Sequence, residues 1–120
     1  VDFDKTIRPW GDLISWESPL PGAAAAVRDL KAAGYEVVIL TSRLSPTWWA
    51  AEVVRRGGSA ELFGGEQAAY VQDYLIENEI PFDAITCEKM PGLVFFDDTA
   101  IRVSPEYTLA QAVEDWLAVQ

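Results

Sequence analysis

At 120 residues, half of them hydrophobic, the chain has enough apolar material for one domain with a core of its own. Nineteen acidic side chains against nine basic ones give a formal charge of −10, a surface that repels nucleic acid and anionic membranes. A single cysteine, Cys87, and no histidine exclude an intramolecular disulfide, a Cys/His zinc site, and Ser-His or Cys-His catalysis. The longest apolar runs fall far short of a membrane span and no signal peptide is visible, so a cytoplasmic location is expected. The chain opens inside an apolar run without a methionine, which leaves room for residues upstream of Val1 and any targeting segment they carry.

Apolar runs alternate with helical stretches, the pattern of a parallel α/β domain. The first predicted strand is the stub Val1 to Asp4. Residues 8–20, punctuated by Pro9, Gly11 and Pro19, read as a loop or small hairpin over its end. A helix follows over Ala23 to Ala33, with Pro21 in its first turn and Gly34 as a left-handed stop. Residues 36–41, Glu-Val-Val-Ile-Leu-Thr, make the second strand, apolar enough for burial on both faces. Ser45 and Pro46 open another helix as cap and first residue, ending near Gly57 and Gly58.

The stretch 57–65 is glycine-rich and reads as a loop. The wider segment 44–65 is longer than a minimal connection and is a candidate small lid. A helix over Glu66 to Asn78 is stopped by Pro81. Short strands are expected at Ala84–Thr86 and Leu93–Asp97, with a possible edge strand at 101–103. Thr108 and Gln111 fit a capping box for a final helix that buries Leu109, Val113, Trp116 and Leu117.

Chemistry concentrates at the strand ends. Asp2 and Asp4 close the first strand, Thr41 the second and Asp97-Asp98 the run before them, while Lys89 precedes that run. In a parallel sheet, ligands bind at the carboxyl edge of the strands, and right-handed crossovers bring these ends together. Carboxylates gathered at buried strand ends are expensive without positive charge among them, which suggests a hard divalent cation with phosphate as co-ligand.

In this order, four segments resemble the haloacid dehalogenase superfamily of phosphotransferases in its small capless form. They are Val1-Asp2-Phe3-Asp4-Lys5-Thr6, Val37-Val38-Ile39-Leu40-Thr41, Lys89-Met90-Pro91 and Leu93-Val94-Phe95-Phe96-Asp97-Asp98, spanning nearly the whole chain. Two departures stand out. Lys5 occupies a variable position where glycine is frequent, and Met90 separates Lys89 from Pro91 where many relatives have Lys-Pro.

The resemblance implies a three-layer Rossmann-like parallel sheet with helices on both faces and no large cap domain. It implies a magnesium-dependent phosphatase acting on a small phosphate ester such as a nucleotide or sugar phosphate. Asp2 would be the nucleophile that forms an aspartyl-phosphate, and Asp4 the acid and then the base. Asp2, the Asp4 backbone carbonyl and Asp97 would hold Mg2+, with Asp98 ligating directly or through water. Thr41, Ser42, Arg43 and Lys89 would contact the phosphoryl group or the rest of the substrate, Lys89 also stabilising transition-state charge.

Other readings stay open at several positions. Arg43 has two roles available, a second anionic contact or a solvent-facing ion pair. Trp10 and Trp16 either stack on a substrate ring or anchor their loop on the core. Trp48 and Trp49, adjacent on a helix, cannot share one face, so one belongs to the core and the other to the pocket or a subunit contact. Cys87 reads as a passive strand-end residue.

A polynucleotide-end phosphatase is the alternative within the superfamily, disfavoured by the acidic surface. A receiver-like phospho-signalling module combines similar residues, but its acidic pair follows the first strand and its phosphoacceptor a later one. An inactive binding domain is the third reading, and the full set of charged positions argues against it.

Overall fold

In the computed structural model, described for residues 1–92, 94–102 and 104–120, helices alternate with a small parallel sheet. Chain order is α1 (Ala23–Ala32), β1 (Val38–Leu40), a 3-10 turn (Ser42–Leu44), α2 (Pro46–Arg56), α3 (Ala60–Glu77), β2 (Ala84–Thr86) and α4 (Leu109–Ala118). β1 and β2 pair in parallel, with Val38 opposite Ala84, Ile39 opposite Ile85 and Leu40 opposite Thr86. Mixed helix and parallel strand is therefore present, as the alternating pattern predicts. Among the described residues, no helix is long and apolar enough to cross a membrane.

The opening segment lies beside β1 without forming the expected strand. It makes a parallel bridge from Asp2 to Leu40, and the Leu40 amide donates to the Val1 carbonyl at 2.9 Å. On its other side the Asp2 amide donates to the Phe96 carbonyl at 2.8 Å. The ladder stops early because the chain turns at once: the amides of Ile7 and Arg8 both donate back to the Phe3 carbonyl. The strand expected at Leu93–Asp97 is likewise absent over the described residues 94–97, and Leu93 lies outside the description. Ile101 and Arg102 are irregular, and Val103, the last residue of the expected edge strand, also lies outside it.

α1 ends as its sequence dictates. Gly34 takes a φ of 92°, and the amides of Gly34 and Tyr35 return to the carbonyls of Lys31 and Leu30, closing the helix with a left-handed residue. α2 begins on Pro46, although the Ser45 hydroxyl makes no cap hydrogen bond.

The segment 57–65 is not a loop throughout, because α3 already starts at Ala60, capped by the Ser59 hydroxyl accepting from the Leu62 amide. Gly64 has a packing reason to sit within that helix. A Cβ there would clash with the ring of Trp49, so glycine lets α2 and α3 close on one another.

The core lies between α1, α3 and the β1 edge. Phe3, Ile39, Val71, Tyr74 and Leu75 are fully buried there, and the rings of Phe3 and Tyr74 meet edge-on at 5.4 Å. α4 departs from expectation. Its cap forms, with the Thr108 hydroxyl accepting from the Gln111 amide at 3.3 Å. Leu109, Val113, Trp116 and Leu117 nevertheless stay between 46% and 68% exposed, and only Ala112 is buried. The local support of this helix is that cap and the Tyr107–Asp115 and Gln111–Asp115 hydrogen bonds. Its amphipathic pattern reports an apolar face but does not supply a partner for it.

Asp83 joins the loop before β1 to the loop before β2. Its carboxylate accepts from the Val37 amide at 2.6 Å and from the Lys31 ammonium at 2.7 and 2.8 Å. Lys31 first, then the Val37 amide, hold its pKa below the ordinary value of 3.8. A depressed folded-state pKa stabilises fully above that ordinary value, and the stabilisation is lost as pH falls through the folded-state value. Asp83→Asn is therefore expected to lower the thermal midpoint at pH 6 and to converge on the parent at strongly acidic pH. Thermal melts of both proteins across that range measure it, and a constant gap would refute the assignment.

Candidate active site

Residues 96, 2, 40 and 86 lie side by side, so the residues just past each of them gather at one edge. The Thr41 amide donates to the Thr86 carbonyl at 2.9 Å, extending β1 and β2 by one step. A cavity of about 590 Å³ opens at this edge. Asp2, Asp4, Thr41, Ser42, Arg43, Lys89, Asp97 and Asp98 all line it, so every predicted site residue reaches the same cavity.

Asp2, Asp97 and Asp98 can each offer a carboxylate oxygen within 4.8 Å of the others. Asp2 is half-buried, and burial first, then its hydrogen bond to Asp98, push its pKa up to about 7. Asp97 is oriented by its own turn: its Oδ1 accepts from the Thr99 amide at 2.8 Å and the Thr99 hydroxyl at 2.9 Å. The Thr99 amide holds the Asp97 pKa below its ordinary value. Oxygen donors this close repel as anions, and a hard divalent cation is the complement that lets all three ionise. The donor set therefore fits Mg2+ in kind: all oxygen, with no soft ligand required.

Asp4 contributes no carboxylate to this trio. Both of its oxygens face Arg43, with Nε to Oδ2 at 2.8 Å and Nη2 to Oδ1 at 2.9 Å, and Arg8 Nη1 also reaches Oδ1 at 3.2 Å. Its backbone carbonyl remains the donor that the resemblance implies. Arg43 is 1% exposed, so the solvent-facing ion pair considered for it is replaced by a buried one. Its Nη1 donates to Gln67 Oε1 at 2.6 Å and to the Leu13 carbonyl. The guanidinium also lies 5.2 Å from the Tyr70 ring centre and 5.6 Å from that of Phe3. Arg43 thus holds Asp4 in place, and these bonds leave it little freedom for a second anion.

Thr41 is buried and lines the cavity, and its hydroxyl accepts from the Arg43 amide at 3.2 Å. Ser42 is exposed beside it. Lys89 is exposed, with its ammonium 5.7 Å from the Phe95 ring centre. Cys87 follows β2 and is half-buried.

Among the tryptophans the loads divide. Trp16 packs on Tyr70 and Tyr74 at 5.3 and 6.1 Å, the anchoring alternative for that residue. Trp49 turns toward α3 and donates to the Arg43 carbonyl at 2.6 Å, whereas Trp48 lines the cavity and meets Phe63.

Two supporting residues escaped the sequence reading. Arg8 is fully buried and ties the 8–20 loop together through Tyr70, Ser15 and the carbonyls of Pro9 and Asp12. Its spacing of four from Asp4 was an available signal. Gln67 carried none, since a glutamine on a helix reads as surface.

Comparison of the chain with protein-family models, curated proteins and solved structures finds no match.

Proposed function

We propose that the chain is a magnesium-dependent phosphomonoester hydrolase of the haloacid dehalogenase type, acting in the cytoplasm on a small phosphate ester. The proposal extends to a three-layer Rossmann-like sheet without a large cap. The observation that carries it is the meeting of Asp2, Asp97 and Asp98 within 4.8 Å at the edge where Asp4 and Thr41 also stand. The first carboxylate lies 95 positions before the second in sequence, and each terminates or follows an apolar run.

In this reading Asp2 attacks phosphorus through a carboxylate oxygen. A P–O bond to Asp2 forms, the ester P–O bond breaks, and the leaving oxygen takes a proton, releasing the alcohol. Water then attacks the same phosphorus, the Asp2–phosphate bond breaks, and inorganic phosphate leaves. Asp4 is the proton carrier that the resemblance implies. Both of its oxygens are engaged by guanidinium donors, which hold the carboxylate in place, so an oxygen must first be released before it can accept a proton from water. Donation to the leaving oxygen first requires the Arg43 fork to open.

Thr41 offers a hydroxyl to a phosphoryl oxygen, and Lys89 the positive charge that offsets charge developing in transfer. Asp2, the Asp4 carbonyl, Asp97 and Asp98 would hold Mg2+, which supplies charge neutralisation for nucleophile and phosphoryl group alike.

Hydrolysis of a generic aryl phosphate tests this directly. Turnover is expected with Mg2+, should vanish on chelation, and should return when Mg2+ is restored. Turnover indifferent to the chelator would remove the metal from the mechanism, and a stable phosphoprotein without turnover would point instead to signalling.

A further inference from the structure

The cavity that the carboxylate trio lines is also lined by Lys5, Trp10 and Trp48. Trp10 is 63% exposed and stacks on no other aromatic ring among the described residues. Anchoring its loop does not require it, because Trp16 already does so on Tyr70 and Tyr74. The backbone beneath Trp10 is nonetheless fixed. Arg8, fully buried, donates to the Pro9 carbonyl at 3.3 Å and to the Ser15 hydroxyl at 2.8 Å, on either side of it. An exposed indole on a tied backbone is a platform held ready before a ligand arrives.

Lys5 adds an independent observation. It takes a φ of 62°, in the left-handed region that a side chain disfavours and glycine occupies freely. From there its ammonium stands 5.4 Å from the Trp10 ring centre. Strain of this kind at a cavity mouth points to a use for the side chain that bears it. The cation steadies the indole and places positive charge beside a phosphate entering toward Asp2.

Resting on the phosphatase reading, we propose that Lys5 and Trp10 form the leaving-group subsite, selecting phosphomonoesters whose alcohol carries a planar aromatic ring. A nucleoside combines such a ring with a sugar hydroxyl that can carry the phosphate, so nucleoside monophosphates are the class favoured over plain sugar phosphates. The volume of about 590 Å³ is in the range of cavities that bind small molecules of this size.

Equilibrium binding separates the subsite from the chemistry. Calorimetric titration of Asp2→Asn protein with Mg2+ should show adenosine 5′-monophosphate binding about ten-fold or more tighter than ribose 5-phosphate, the scale of one base stacked on an aromatic side chain. Adding Trp10→Ala should erase that preference. Lys5→Gly should weaken nucleotide binding several-fold without lowering the thermal midpoint, because glycine relieves the left-handed backbone. Equal affinities for the two ligands, binding of neither, or a preference that survives Trp10→Ala would each overturn the subsite. Trp10-dependent nucleotide binding by a parent protein that hydrolyses no phosphate ester would instead leave the subsite standing and remove the hydrolase reading. Hydrolysis of sugar phosphates in preference to nucleotides would do the reverse.

Discussion

Asp2→Asn is expected to cut turnover of an aryl phosphate by on the order of a thousand-fold or more, because the amide cannot form the covalent intermediate that divides the reaction into two steps. Stability should move the other way. In the absence of Mg2+ the three carboxylates crowd within 4.8 Å, and burial already resists the charge on Asp2. Removing one charge relieves that repulsion, so the metal-free variant should melt no lower than the parent.

Mg2+ should then reverse their order. A ligand that binds only the folded state stabilises by RT ln(1 + [L]/Kd), about 2.7 kcal/mol at a hundred times Kd, and the variant has lost one donor. The parent should therefore gain more from Mg2+ than the variant does. Single-turnover kinetics together with melts at graded Mg2+ provide both measurements. Hydrolysis by Asp2→Asn at the parental rate would end the nucleophile assignment whatever the melts show.

Which polar residues gather at one edge is more legible in the sequence than the scaffold that gathers them. Asp2, Thr41, Lys89 and Asp97-Asp98 could be placed at one edge because strand ends are marked by the switch from apolar to polar residues. That switch survives even where a ladder is short or missing. The end of α1 and both ends of α2 are legible for a similar reason, since Gly34, Pro46 and Gly57 impose local backbone conformations, whereas Pro21, expected in the first turn of α1, lies before its cap Gly22.

Long-range partners were harder to read. Gly64 and Gly65 looked like a loop because glycine signals flexibility in one dimension, whereas Gly64 makes room for Trp49 in three. α4 is readable as a helix, but its amphipathic pattern predicts a buried face without saying what buries it, and that face is exposed. The role of Arg43 was undecided between substrate and solvent because its partner, Asp4, lies 39 positions away. Nor does Gln67, 24 positions beyond Arg43, look different from any surface glutamine until α3 folds over the turn.

That buried cluster carries the largest expected effect on stability. Arg43→Ala removes both fork bonds to Asp4, the bond to Gln67 and the bond to the Leu13 carbonyl at once. A buried ion pair need not stabilise relative to an apolar pair, but breaking it from one side strands its partner. The usual cost is about 3–5 kcal/mol. Asp4 keeps only the 3.2 Å contact to Arg8, and its side chain is 21% exposed, which softens the loss without cancelling it. Against a domain stability of about 5–15 kcal/mol, the variant is expected to be marginal.

Arg43→Lys should fall between, since an ammonium keeps the charge but cannot span both Asp4 oxygens as a fork does. The paired change Arg43→Met with Asp4→Asn removes both charges together, and its cost should be less than the sum of the two single substitutions. Urea titrations followed by tryptophan fluorescence supply these values, with the parent, the single variants and the double variant compared at one pH. An Arg43→Ala protein within about 1 kcal/mol of the parent would mean that water satisfies Asp4 and Gln67 as well as Arg43 does. In that case Arg43 would be free to meet substrate after all. Because Asp4 is also the proton carrier in the proposed reaction, Arg43→Lys should lower kcat more than it raises KM.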